Sequence, residues 1–163
     1  MKKAQDLLFK IFDNIMFISS ALVALLVVIG AIMRYILKLD FYGSEEIILL
    51  IGFWMYFAGS AVASYEGSHI SADLISTFIK SKKNRKILYI IQELISIVLY
   101  GVLTWYALRF LKFSIDVGQK TPVYKIPMIA QYLIVLISFI MATIYSSYHF
   151  YKNLKEYKEI KGV

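Results

Sequence analysis

The chain has no cysteine in its 163 residues, which excludes disulfides, cysteine-ligated zinc and thiol catalysis. Histidine is nearly as scarce, with only His69 and His149. Charge is missing over long stretches: Asn14 to Met33, Ile47 to Tyr65 and Ile126 to Tyr148 contain no Asp, Glu, Lys or Arg. A membrane protein that binds ions or charged solutes by itself shows ionisable groups or broken helices near mid-membrane, and these three runs provide none. Acids are fewer than bases, 11 against 18, for a net charge of +7. The basic residues flank apolar runs and form no stripe on a polar face, so membrane topology explains them and no nucleic-acid partner is expected.

What the chain does have is apolar length. Hydrophobic residues make up 60% of it and its mean hydropathy is +0.66, well above the roughly 45–50% apolar content of a soluble domain. The uncharged run 47–65 would extend about 28 Å as a helix, close to the roughly 30 Å of a bilayer core. Four spans are predicted, at about 14–33, 47–65, 87–108 and 126–148. The first is too long for the apolar core of a cleavable signal peptide and ends at Arg34, which predicts a retained helix. Ahead of it, Leu7, Leu8, Ile11 and Phe12 recur at helical spacing among lysines, an amphipathic lead-in. Arg109 and Lys112 close the third span, and Pro127 is placed in the first turn of the fourth. Between the second and third spans, Ile70, Leu74, Ile75, Phe78 and Ile79 form one apolar face followed by Lys80, Lys82, Lys83, Arg85 and Lys86. This predicts a short interfacial helix over about 70–80, lying on anionic membrane lipids. The fold class expected is an all-α membrane protein, one domain over 1–163, with four transmembrane helices and that amphipathic helix. Twelve of the eighteen Lys and Arg fall on the side of the two termini and the 66–86 connection, which predicts both termini in the cytoplasm.

Few residues are equipped for chemistry. Glu93 is the only acid inside a span, about 9 Å from its cytoplasmic end. There it can snorkel or pair with Arg85 or Lys86, and packing at an interface is the expected role, with a proton or ion relay as the alternative. His69 and His149 fall at the cytoplasmic ends of spans, whereas four-helix haem proteins need facing histidines within the bundle. His69 reads as a polar cap or headgroup contact. Gly59 and Ala63 have the small-xxx-small spacing that lets helices approach closely in lipid. Trp54 lies mid-span, away from the interfacial aromatic belts, and is expected against another helix or lipid. Arg34 and the Glu45–Glu46 pair share one membrane surface, where a salt bridge between the first two spans is expected. No catalytic, substrate-binding, metal-binding or cofactor-binding residue is expected.

The order of features carries a resemblance. Arg34-Tyr35 ends the first span, Glu45-Glu46 opens the second, and Trp54, Gly59, Ala61 and Ala63 lie within it. Gly67-x-His69-Ile70-x-x-Asp73 follows, and Thr121-Pro122 and Ile126-Pro127-Met128 precede the last span. This order resembles the small membrane subunit (Q subunit) of tripartite ATP-independent periplasmic, or TRAP, transporters over nearly the whole chain. The resemblance implies a scaffold in the bacterial inner membrane, with interface residues drawn from Arg34, Glu45, Glu46, Trp54, Gly59, His69, Asp73 and Glu93. It implies two partners, a large membrane (M) subunit with the substrate and sodium sites and a periplasmic substrate-binding (P) protein. The substrates implied are organic anions such as dicarboxylates or sialic acid. Two alternatives remain beside it. One is a self-sufficient small four-helix exporter, although such proteins need an acid in the first span and Asn14 to Met33 has none. The other is a four-span membrane assembly factor.

Overall fold

The computed structural model describes residues 2–66 and 82–161. These form four helices: α1 (Lys2–Tyr35), α2 (Ser44–Glu66), α3 (Lys82–Val117) and α4 (Ile129–Lys161). All four are long and apolar enough to cross a membrane, and the protein is an all-α membrane protein. The interfacial helix expected over 70–80 lies outside the described residues, as do His69 and Asp73.

Three of the helices are longer than the uncharged runs inside them. α1, α3 and α4 have 34, 36 and 33 residues, so each extends roughly 50 Å against a bilayer core of about 30 Å. The amphipathic lead-in is therefore continuous with the first span. Arg109 and Lys112, expected to close the third span, sit on α3 with about one and a half further turns after Lys112. The chain stops being helical where the backbone changes and not where charge begins. α3 ends at Gly118 (φ 63°), whose N–H donates to the Ile115 carbonyl while that of Gln119 donates to Ser114. This pair of bonds is a Schellman closure, which requires a left-handed residue after the last turn. Pro127 is not in the first turn of α4. It lies before the helix, bridged to Lys120 in a small antiparallel loop, where its missing N–H leaves no helical bond unmade.

The helices lie in an open row, in the order α1, α2, α4, α3. α2 packs against both α1 and α4, and α3 packs on the far side of α4. The core sits where the first three meet: Phe12 of α1, Ala58, Ala61 and Val62 of α2 and Ile134 of α4 are buried together. Small residues on α2 allow this approach. Aromatic pairs join the same neighbours, Phe9 with Tyr65 across α1 and α2 and Phe57 with Phe139 across α2 and α4. α3 adheres through one narrow face carrying the buried Ala107 and Ser114, with Phe110 stacked on Tyr132 of α4. The rest of α3 presents large exposed apolar side chains, among them Leu99, Val102 and Trp105.

Candidate functional site

Polar chemistry gathers at the two ends of the helices. At the turn end, the α1–α2 connection meets the loop between α3 and α4. α1 stops as Lys38 takes a left-handed conformation (φ 53°), and a turn with Ser44 N–H donating to the Phe41 carbonyl leads into α2. Gly43 occupies that turn at φ 82°, and a Cβ there would lie 2.6 Å from the Tyr124 ring. Both the backbone angle and the close approach require glycine.

The α3–α4 loop is held in a hairpin by Thr121 N–H to Ile126 O (2.9 Å) and Met128 N–H to Gln119 O (3.0 Å). Ile126 N–H also donates to the Thr121 hydroxyl oxygen at 3.0 Å. The tip of this hairpin closes on Glu46. Val123 N–H donates to Oε1 at 2.5 Å and Tyr124 N–H to Oε2 at 3.0 Å, and the Thr121 hydroxyl lies near the same carboxylate. Tyr124 then reaches across to donate its hydroxyl to the Tyr42 carbonyl at 3.2 Å. One acid in the first turn of α2 thus gathers a loop more than seventy residues away. The arrangement departs from the expected salt bridge. Among the described residues no ion pair joins Arg34 to Glu45 or Glu46, because Glu46 is directed toward the loop amides.

Beside this latch lies a cleft of about 980 Å³ between α1 and α4, floored by Leu49 and Phe53 of α2. Gly30, Ala31 and Arg34 line its α1 side, Met128, Gln131 and Tyr132 its α4 side, and Asp40, Glu45 and Glu46 its rim. It exists because α1 and α4 both pack on α2 without packing closely on each other.

At the opposite end, Glu93 of α3 lies near Ser146 and His149, both on α4. His149 Nε2 lies 3.3 Å from the Tyr65 carbonyl in the last turn of α2. A carbonyl only accepts, so Nε2 carries the proton and caps one of the terminal carbonyls of α2. Lys86, one of the expected partners of Glu93, instead pairs with Glu156 and donates to Asn153 at 3.2 Å. Polar groups of α3, α4 and α2 thus meet at this end, with His149 joining α4 to α2. Among the described residues no group of three or more His, Asp or Glu is placed to hold a metal.

Trp54 is half-buried against the α1–α2–α4 core, with Phe53, Phe57 and Met141 in the same cluster. Gly59 faces α1, and a Cβ on it would meet the Met16 sulfur at 3.3 Å. Sequence reasoning singled out Glu46 and Thr121-Pro122 but did not join them, and it missed Gly43, Tyr124 and the inward role of His149. The glycine two residues before the paired acids was the available signal.

No curated protein matches the chain. A family comparison is informative: the model for tripartite ATP-independent periplasmic transporters, DctQ component, matches residues 23–156. That range runs from the first span through the cleft, the latch and the Glu93 cluster to most of α4. Four membrane-crossing helices, a latched turn end and a match over most of its length have one account: the chain belongs to the DctQ component family of tripartite ATP-independent periplasmic transporters.

Proposed function

We propose that this chain is the scaffold subunit of a sodium-coupled secondary transporter that imports organic anions of the dicarboxylate or sialic acid type. It works beside a large membrane subunit that holds the substrate and sodium sites, and a periplasmic binding protein delivers the substrate. The observation that carries this reading is the open row. An anion carrier has to enclose a polar route through the bilayer. Here Glu93, the one acid within the apolar run of α3, lies beside Ser146 and His149 of the same chain. The large exposed apolar faces at the edges of the row offer broad surface to a membrane partner and no route for a charged solute. The Lys and Arg bias supports a bacterial inner-membrane orientation with both termini in the cytoplasm and the latched turns facing the periplasm.

The test is co-purification in mild detergent of the tagged chain with the large membrane subunit, followed by uptake in liposomes. A stable complex, with sodium-dependent uptake only when the binding protein is added, is the expected result. A chain that purifies alone and transports alone overturns the reading, and Glu93 then becomes the first residue to substitute. Orientation is checked separately, since the cysteine-free chain permits single-cysteine labelling. Lys125→Cys should react with an impermeant maleimide from the periplasmic side and Lys152→Cys only after permeabilisation; the reverse pattern would refute the orientation.

A further inference from the structure

The cleft at the turn end has a floor, a wall and a rim of different chemistry. Leu49 and Phe53 give it an apolar floor, and on the α1 wall nothing lies within 4 Å of where a Cβ of Gly30 would stand. The wall is therefore an open groove one turn below Arg34, about 6 Å deeper along the helix. At the rim, Arg34 forms no salt bridge among the described residues, and Asp40 and Glu45 line the same opening. Glu46 is already engaged by the loop amides.

We propose that this cleft is a binding site for one zwitterionic phospholipid bearing a primary ammonium headgroup. The phosphate sits on the Arg34 guanidinium, the ammonium between Asp40 and Glu45, and an acyl chain runs down the groove past Gly30 onto Leu49 and Phe53. Charge decides the class. Arg34 supplies the cation for a phosphate, but two free carboxylates beside it give the rim a net negative charge, which opposes a lipid of net negative charge. A quaternary ammonium would satisfy the charge but has no N–H to donate to the carboxylates, whereas charge-assisted bonds from a primary ammonium are the stronger kind. The length of α1 places this rim at headgroup depth, since Arg34 is the basic residue of its last turn. This inference goes beyond the scaffold reading and does not need it. Co-purification can fail with the lipid retained, and the lipid can be absent from an intact complex.

The experiment is native mass spectrometry of the full chain, released from nanodiscs made with equal parts of phosphatidylethanolamine, phosphatidylcholine and phosphatidylglycerol. The expected result is a one-lipid adduct in which phosphatidylethanolamine is retained about tenfold over either competitor, a difference of roughly 1.4 kcal/mol. Arg34→Gln should lower that retention about tenfold, and Asp40→Asn with Glu45→Gln should bring phosphatidylcholine to parity. Gly30→Leu fills the groove with every charge in place, and should abolish the adduct while circular dichroism and the elution profile stay unchanged. Equal retention of the three lipids by the unsubstituted chain, preference for phosphatidylglycerol, or a Gly30→Leu chain that keeps its lipid would each overturn the proposal. The competition on the unsubstituted chain decides the matter even if a variant fails to fold.

Discussion

Two adjacent carboxylates at the start of α2 have different fates, because successive residues on a helix point about 100° apart. Glu46 meets the backbone amides of Val123 and Tyr124, and Glu45 stays exposed at the cleft. Glu46→Gln keeps one accepting oxygen but loses the charge that strengthens both bonds. Hydrogen exchange at the Val123 and Tyr124 amides should quicken in that variant and stay unchanged in Glu45→Gln. Equal behaviour of the two variants would show that the latch does not hold the loop. Only charged residues announce a polar partner in a sequence, so the acids were matched there with Arg34. The partners of Glu46 are backbone amides, which have no residue-type signature. Glycine offers a second contrast. Gly118→Ala puts a side chain into a left-handed backbone with open space around it, at a cost of about 1–2 kcal/mol. Gly43→Ala adds to a similar backbone cost a collision with the Tyr124 ring and so threatens the Tyr124–Tyr42 bond. Thermal unfolding in detergent should therefore fall further for Gly43→Ala.

Helix by helix, the spans were legible in the sequence because charged residues are costly in hydrocarbon and mark its borders. The helix ends were not, since backbone hydrogen bonding continues into water until a left-handed residue or a proline intervenes. This is why α3 runs on to Val117 and α4 begins only after Pro127. The order of the helices in the row was not legible either. It depends on which small faces meet, and all four spans contain apolar faces of similar composition. Between α2 and α4 the buried Ser138 hydroxyl donates to the Phe57 carbonyl at 2.7 Å. Bonds of this kind between helices in a bilayer average about 0.6 kcal/mol. Ser138→Ala should lower bilayer stability by about that amount, whereas Ser147→Ala, whose hydroxyl bonds only its own helix at Thr143, should change it less. A steric-trapping measurement on both variants separates the two. Equal losses would mean that the Ser138 bond does not couple α2 to α4.

A row has edges and a closed bundle has none, and the two tryptophans occupy opposite positions in it. Trp54 is half-buried where α1, α2 and α4 converge. Trp105 lies on the edge helix α3, 60% exposed, with the Arg109 guanidinium 5.7 Å from its ring. A cation over an indole belongs at the depth where apolar chains give way to headgroups, which matches the position of Trp105 toward the turn end of α3. The arrangement makes a direct prediction for the isolated chain in lipid. With Trp54→Phe, the remaining Trp105 fluorescence should be quenched strongly by phospholipids brominated high on the acyl chain. With Trp105→Phe, Trp54 should be quenched much less by bromine at any depth, because helices of its own chain cover part of the ring. If a closed four-helix bundle formed instead, α3 would turn more of its surface inward, and quenching of Trp105 would fall toward that of Trp54. The same pair of variants then reports on assembly. A partner membrane subunit that covers the α3 edge should protect Trp105 from brominated lipid and leave Trp54 unchanged, whereas one that covers the α1 edge should leave Trp105 as it was.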